Sequence, residues 1–234
     1  RRAGLQPRHT RIQGQNPASV KPLLHILFLL LAFTAGARPH TYDVVIVGGT
    51  PAGITAAVAA AREGKNSVIL ERSDHVGGLP VNGLGATDIA TRGATAGLFA
   101  RFVVLNKAHY TEKYGADSQQ VRDCSDGYHF EPSVAAETFA RMLAEAGPGR
   151  ITVLTGRQFD AEARYVEKRG DRIVSIRILD RATGREEHYR GAVFIDATYE
   201  GDLGAAAGVP FRTGREGAAE YGEPCAGKIY RWWK

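Results

Sequence analysis

The segment VVIVGGTPAGITAA, residues 44–57, constrains the fold of this chain more than any other stretch. Its four consecutive β-branched residues indicate a strand that is buried on both faces, as in a parallel sheet. Glycines follow the strand directly, and then comes Pro51, a residue that suits the first position of a helix. With a strand over 42–48, a helix over 51–64 and a second strand over 66–71, the sequence predicts a βαβ unit.

The turn of this unit has the spacing of a phosphate-binding loop. Gly48 and Gly53 occupy the first and last positions of a G-x-G-x-x-G pattern, and Thr50 stands at the middle position. Glycine at the first position permits a sharp turn, and glycine at the last lets the helix pack closely on the strand. Because the helix N-terminus offers amides and a positive dipole end, we predict a dinucleotide pyrophosphate on the backbone of residues 49–53, which are Gly49, Thr50, Pro51, Ala52 and Gly53.

A carboxylate stands where a dinucleotide-binding domain needs one. Glu71 follows Gly48 by 23 residues, at the end of the second strand, where it can accept hydrogen bonds from ribose hydroxyls. It also disfavours a 2′-phosphate, although the neighbouring Arg72 weakens that argument. The alternative is a solvated glutamate that only closes the strand.

Gly77 and Gly78 follow Glu71 by six and seven residues, which gives the arrangement E-x5-G-G. This arrangement resembles the FAD-binding signature of the glutathione-reductase-like flavoproteins. In those proteins the paired glycines let a second loop pass close to the pyrophosphate. An NAD dehydrogenase has no need of them.

Longer stretches extend this resemblance. The segments GYHFEPSVAAETFARML, FIDATYEGDLGAAAGV and GREGAAEYGEP, together with the first unit, resemble the FAD-dependent oxidoreductase family from about Tyr42 to the end. Many members of that family are exported bacterial proteins. The resemblance implies an FAD site formed by Gly48, Thr50, Ala52, Gly53, Glu71, Arg72, Gly77 and Gly78. It also implies Gln158 near the adenine, and a small-residue strand end with Ala197, Gly201 and Asp202 that closes over the cofactor.

The resemblance implies an oxidoreductase that transfers a hydride between FAD and a small organic substrate, with a sugar-like molecule as one candidate. The loop over 79–93 is expected to run toward the flavin, so Asn82, Asp88 and Arg92 are candidates for flavin or substrate contact. His129 is a candidate base. As alternatives, Asp88 caps a helix and His129 is a half-buried residue bonded to a carbonyl group.

Two other functions remain open at this point. One is an NAD-binding dehydrogenase that uses the same turn without flavin, although Gly77 and Gly78 count against it. The other is a non-catalytic cofactor-binding module of a larger carbohydrate-active protein. The oligomeric state stays open as well.

Residues 1–37 have the three parts of a secretory signal peptide. A basic stretch ends at Lys21, an apolar run covers 23–37, and the run closes with Ala-Gly-Ala. We expect export to the periplasm or the cell exterior with cleavage near Ala37, and no stable membrane association afterwards. The alternative is a retained anchor formed by 23–37, although a spanning helix needs about 20 apolar residues.

The net charge of +5 does not indicate a nucleic-acid partner. Six of the 30 basic residues lie within 1–38, where there is no Asp or Glu. The remainder has 24 basic residues against 25 acidic ones, so it offers no basic surface for phosphates. Cys124 and Cys225 lack metal-ligand or redox-dithiol spacing, so we expect no metal site. They form either one disulfide or two free thiols.

The fold class predicted for residues 42–234 is α/β, a Rossmann-like FAD-binding domain. Its parallel sheet is interrupted by a helical and loop insertion over 72–150 and by an antiparallel β-meander over 157–190. Further elements expected from the periodicity are helices over 95–108, 133–146 and 201–208 and buried strands over 151–156 and 192–197. Compared with the family, the chain is expected to be incomplete at its C-terminus.

Overall fold

The computed structural model describes residues 39–228. The predicted signal peptide over 1–37, and its alternative as an anchor over 23–37, lie outside the described residues. Within 39–228, no helix combines the length and the apolar character that crossing a membrane requires.

The first unit of the domain is a parallel strand pair with a helix across it. Strand β1 (His40–Val47) pairs with β2 (Ser67–Leu70), and helix α1 (Pro51–Arg62) connects them. The helix begins at the predicted proline, and after its end Gly64 takes the left-handed conformation with φ of 72°. The predicted βαβ unit is therefore confirmed.

Seven strands form one mixed sheet in the order β3-β2-β1-β7-β6-β4, with β5 also paired to β6. The remaining strands are β3 (Ile151–Leu154), β4 (Arg157–Gln158), β5 (Val166–Arg169), β6 (Arg172–Asp180) and β7 (Arg185–Asp196). The first half of β7 is antiparallel to β6, and most of the strand is parallel to β1. The parallel sheet is thus interrupted along the sequence but continuous in space, which confirms the predicted α/β class.

Two hydrophobic clusters cover the two faces of this sheet, one on each face. On one face, Ile46 and Ile69 pack under α1 and under helices from the segment that separates β2 from β3. These helices are α2 (Gly97–Tyr114), α3 (Gln119–Asp123) and α4 (Pro132–Glu145). The rings of Phe102 and Phe139 stack there with centroids 4.6 Å apart. On the other face, Val45 and Val47 pack with residues of β6 and of helix α5 (Asp202–Ala206). A last short helix, α6, covers Ala218–Tyr221.

The prediction that the segments 151–156 and 192–197 are buried strands is wrong in part. Both are strands, but Val153 is 36% exposed and Val193 is 51% exposed. β3 is the edge strand of the sheet, and from residue 191 onward β7 has a partner on one side only within the described chain. The helices cover the centre of the sheet, so these flanking side chains remain partly in solvent.

Other boundaries also differ from the predicted ones. Helix α2 runs from Gly97 to Tyr114, later and longer than the predicted 95–108. The segment from Phe159 leaves the sheet, since local bonds such as Glu162 N–H to the Asp160 carbonyl form a turn. Both cysteines are free thiols, Cys124 buried and Cys225 exposed. No group of three or more potential metal ligands occurs in the part of the chain that the structure describes.

A matched pair of valines tests this distribution of burial. We expect Val45→Ala to lower the free energy of unfolding by about 2–3 kcal/mol, because Val45 is fully buried. Val193→Ala, the same change at a half-exposed position, should cost less than about 1 kcal/mol. Chemical denaturation followed by circular dichroism measures both, and equal losses would contradict the description of β7.

Candidate functional site

A cleft of about 340 Å³ lies at the carboxyl ends of β1, β2 and β7. In open α/β sheets this is the edge at which ligands bind. The turn after β1, the loop after β2 and the loop after β7 form its walls. Its lining residues are Val47, Gly48, Thr50, Leu70, Glu71, Arg72, Ser73, His75, Gly78, Leu79, Asn82, Arg157, Phe159, Thr198, Tyr199, Glu200 and Asp202.

The turn after β1 is packed so closely that its glycines cannot be replaced without displacement. Gly48 has φ of 102°, and a Cβ there would lie 2.6 Å from the carbonyl oxygen of Ala197. A Cβ at Gly53 would overlap the carbonyl oxygen of Gly48. These contacts are the physical reason for the glycine spacing in the sequence.

Thr50 has a structural role that the sequence pattern did not indicate. Its hydroxyl donates to the carbonyl oxygen of Ala197 at 2.8 Å and accepts from the N–H of Gly53 at 3.4 Å. The first bond fastens the turn to the end of β7, and the second caps α1. A glycine at this position could make neither bond.

The N-terminus of α1 leaves a donor for a ligand. Pro51 has no N–H, the N–H of Gly53 bonds to the Thr50 hydroxyl, and the N–H of Ile54 bonds to the Thr50 carbonyl. The N–H of Ala52 is therefore the first-turn donor that remains for an anion.

Glu71 is fixed by backbone amides and is not the solvated residue of the alternative interpretation. One carboxylate oxygen accepts from the N–H of Gly49 and the other from the N–H of Ser73, both at 2.7 Å. The residue is only 9% exposed. Each oxygen keeps a further lone pair, so the carboxylate can still accept from ribose hydroxyls.

The paired glycines bring the second loop against the first. The N–H of Gly77 donates to the carbonyl oxygen of Gly49 at 2.6 Å. Gly77 and Gly78 have φ of 124° and 60°. A Cβ on Gly78 would collide with the hydroxyl of Tyr199. The two glycines are thus required both by their backbone angles and by their neighbours.

Tyr199 joins two walls of the cleft, a role that sequence reasoning missed. Its hydroxyl accepts from the N–H of Leu79 at 2.7 Å, across 120 positions of the chain. Tyr199 is 55% exposed, so this hydrogen bond lies at a surface that solvent can reach. A single tyrosine in the sequence carries no signal of a partner so far away along the chain.

The loop after β7 contributes the remaining predicted cofactor residues. Ala197 is buried and fixes Thr50, while Gly201 takes the left-handed conformation before α5. Asp202 lines the cleft, and burial, together with the nearby charges of Glu200 and Asp196, raises the pKa of its carboxyl. The structure brings these residues to the same edge as Gly48 and Glu71.

The side chain of Gln158 does not reach the cleft. Its amide donates to Asp160 at 2.7 Å in a small separate hollow on the meander. Arg157 and Phe159 line the cleft instead, since alternate residues of an extended segment point to opposite sides. The guanidinium of Arg157 is committed to Glu187 through two bonds of 3.1 Å, which orient it as part of the wall. The alternation of side chains along 157–159 is the sequence feature that could have indicated Arg157 and Phe159, and not Gln158, as residues of the cleft.

Of the candidates for chemistry, only Asn82 lines the cleft. Arg92 donates to Ser125 and lies 4.5 Å from the ring centroid of Tyr128, so it belongs to the helical insertion. Asp88 and His129 are exposed and line no cavity described above. No helix follows Asp88 directly, so the helix-cap alternative for it is wrong as well.

His75 is a further residue of the cleft rim that the sequence did not single out. Its Nδ1 lies 2.6 Å from the carboxylate of Asp74, and its Nε2 lies 3.1 Å from Oδ1 of Asn82. The hydrogen bond with Asp74 is the main cause that raises the pKa of His75. The amide nitrogen of Asn82 donates to the carbonyl of Gly78, which ties this group to the paired glycines.

A family model described as FAD dependent oxidoreductase matches residues 43–231. The chain belongs to this family. The match confirms the family predicted from the sequence and FAD as the cofactor of that family. A search of curated proteins found no match.

Several solved structures resemble the chain, and the names of some of them mention FAD. L-Proline dehydrogenase from P. horikoshii has a TM-score of 0.48 and 16% identity, over 76% of this chain and 59% of that one. A myxobacterial chondrochloren halogenase, described as an FAD-dependent halogenase variant, has a TM-score of 0.45 and 20% identity, over 68% and 38%. Glycerol-3-phosphate dehydrogenase from Bacillus halodurans, solved with FAD, has a TM-score of 0.44 and 13% identity, over 71% of this chain and 36% of that one. The chain thus spans less than two thirds of each of these proteins.

The residues of the cleft fit the cofactor of the family. Gly48 and Thr50 of the turn line the cleft, the start of α1 provides the Ala52 amide for a phosphate, and Glu71 provides acceptors for a ribose. The carboxylate is already oriented by Gly49 and Ser73, so no rearrangement is needed to present it.

A glycine pair tests the turn. We expect Gly53→Ala to weaken FAD binding at least tenfold and to lower the free energy of unfolding by about 1–3 kcal/mol, because the new methyl overlaps the Gly48 carbonyl. Gly93→Ala is the control, since a Cβ there meets open space. Titration with FAD and thermal melting measure the two effects. Unchanged FAD affinity in a folded Gly53→Ala protein is the result that would rule out this turn as the binding site.

A tyrosine pair tests the bond across the cleft. Tyr199→Phe removes a hydrogen bond worth about 1 kcal/mol, so FAD should dissociate about fivefold faster. Tyr221→Phe, at a 64% exposed position outside the cleft, should leave the rate unchanged. The rate is followed by the fluorescence of released flavin. Equal rates in both variants would mean that the Tyr199 hydroxyl does not hold the loop over the cofactor.

Proposed function

We propose that the cleft of this chain holds FAD and that the protein is an oxidoreductase acting on a small organic molecule. The observation that carries the proposal is the turn at 48–53, which contributes Gly48 and Thr50 to the cleft and leaves the Ala52 amide available at the start of α1. When bound, FAD supplies an isoalloxazine ring that takes up a hydride from the substrate.

The chain's own residues have binding and orienting tasks in this proposal. The N–H of Ala52 at the start of α1 and the neighbouring backbone receive the pyrophosphate. Glu71 accepts from the adenosine ribose, and the exposed Arg72 beside it adds a positive charge at the cleft wall. Tyr199 holds the loop with the paired glycines in place over the bound molecule.

The contact between the two loops favours FAD over NAD. The bond from Gly77 to Gly49 places a second backbone segment directly beside the phosphate turn. This is the arrangement that the FAD signature implied and that an NAD dehydrogenase does not need. A non-catalytic module would share the same cleft, so turnover with an added electron acceptor has to separate it from an enzyme.

Substrate and cellular location are also proposals. The sequence analysis named a sugar-like molecule as one substrate candidate, and a sugar would require hydrogen-bonding side chains at the flavin end of the site. The composition of residues 1–37 supports export, which amino-terminal sequencing of the mature protein would test.

The test of the proposed function is the visible absorption spectrum of the purified protein, followed by identification of the released cofactor after denaturation. We expect a flavin spectrum and release of FAD, at one molecule per chain. A protein that is colourless and takes up no added FAD would contradict the proposal. Release of NAD in place of FAD would favour the dehydrogenase alternative.

A further inference from the structure

A second cavity of about 250 Å³ lies beside the cleft, and we call it the recess. It opens between the start of α1, the loop after the paired glycines, and helices α2 and α4. Its lining residues are Pro51, Ala52, Thr55, Pro80, Thr87, Leu98, Phe99, Phe102 and Phe139. We propose that the recess binds an apolar ring, or a hydrocarbon part of similar size, that belongs to the substrate.

The side chains of the recess give it an apolar character. Leu98, Phe99, Phe102 and Phe139 come from α2 and α4, and two prolines complete the wall. Lys, Arg, Asp, Glu and His are all absent from its lining. An apolar group that leaves water for such a surface gains about 25 cal/mol per Å² of buried area.

The two threonines of the recess have no free proton to offer. The hydroxyl of Thr55 donates to the carbonyl of Pro51 at 2.9 Å, within its own helix. The hydroxyl of Thr87 donates to the carbonyl of Tyr128 at 3.2 Å. A sugar hydroxyl placed in the recess would therefore find no side-chain donor, and losing its bonds to water would be unfavourable.

The volume of the recess suits one substituted ring. An engineered cavity of about 150 Å³ lined by Leu, Ile and Phe stays free of water and binds benzene. The recess is larger than that cavity and open to solvent on one side, and its leucine and three phenylalanines give it the same kind of apolar contact surface. Its size and chemistry point to an aromatic or alicyclic group and not to a polar one.

The recess and the cleft are separated by a thin ridge. A Cβ on Gly78 would lie 3.1 Å from Cδ of Pro51, so these two residues are close neighbours. Gly78 and Leu79 line the cleft, while Pro51 and Pro80 line the recess. A molecule seated in the recess is thus one residue away from the cleft. The inference that the molecule bound in the recess is a substrate rests on the proposed function.

The test uses p-xylene as an apolar probe and xylose as a polar one, with the full chain and saturation-transfer NMR. We expect saturable binding of p-xylene and none of xylose. Leu98→Trp fills the recess and should weaken p-xylene binding at least tenfold. Leu84→Trp is the matched control, because Leu84 is 58% exposed and lines neither cavity, and it should bind as the original protein does.

A second variant covers the case in which Leu98→Trp does not fold. Thr55→Leu adds apolar volume from the partly exposed surface of α1, and it should also weaken binding of p-xylene. Circular dichroism confirms that each variant is folded. Absence of saturable p-xylene binding by the original chain would overturn the proposal, as would equal binding by Leu98→Trp and Leu84→Trp when both are folded.

The same samples separate this proposal from the proposed function. Binding of p-xylene should persist after saturation with FAD, and its loss would mean that the cofactor itself occupies the recess, which would overturn the assignment to substrate. If p-xylene binds but FAD does not, the proposed function fails and the apolar site stands. If FAD binds and p-xylene does not, the proposed function stands and this inference fails.

Discussion

The contact between the turn after β1 and the end of β7 is the constraint on which the rest of the site depends. Ala197 touches the space that side chains would need at both Gly48 and Gly53. Its carbonyl accepts from the Thr50 hydroxyl, and its N–H donates to Val47 at 2.8 Å. A segment 147 positions away along the chain thereby sets the shape of the turn. The first βαβ unit does not supply every contact that fixes this turn, because Ala197 belongs to the segment at the end of β7.

The other walls of the cleft follow the same principle, since they are joined mainly through backbone groups. Gly77 bonds to Gly49 through main-chain atoms, and Glu71 is oriented by two main-chain amides. A site of this kind needs few particular side chains, which explains why glycine and other small residues dominate its sequence signature.

Sequence reasoning succeeded where the physical cause is local. The start of α1 at Pro51, the left-handed Gly64 and the glycine turn all follow from backbone preferences within a few residues. Glu71 was found because the length of a βαβ unit fixes where the second strand ends. These features predicted the α/β class and a dinucleotide site, whereas FAD came from the resemblance of the paired glycines and of longer segments to a flavoprotein family.

Features that depend on distant partners could not be predicted in this way. The bond from Tyr199 to Leu79 and the exposure of Val193 depend on how far the helices and loops extend over the sheet. Arg92 was chosen from its place in the loop over 79–93 and His129 from its residue type, but Arg92 bonds to Ser125 and neither residue lines the cleft. The recess is formed by residues from four separate segments, and no spacing in the sequence indicates that these segments meet.

The hydrogen bonds of His75 determine which form of its ring the cleft rim favours. Because the Asn82 amide nitrogen already donates to Gly78, the Asn82 oxygen is the atom that faces the imidazole. The carboxylate of Asp74 faces the other ring nitrogen. Both neighbours can only accept, so the arrangement is satisfied when the ring carries two protons and a positive charge. When the pH rises and the ring loses one proton, one ring nitrogen faces an acceptor with its lone pair, and that hydrogen bond is lost. The loop that carries the paired glycines then has one contact fewer. Proton uptake by His75 and the observed arrangement of this loop are therefore thermodynamically linked.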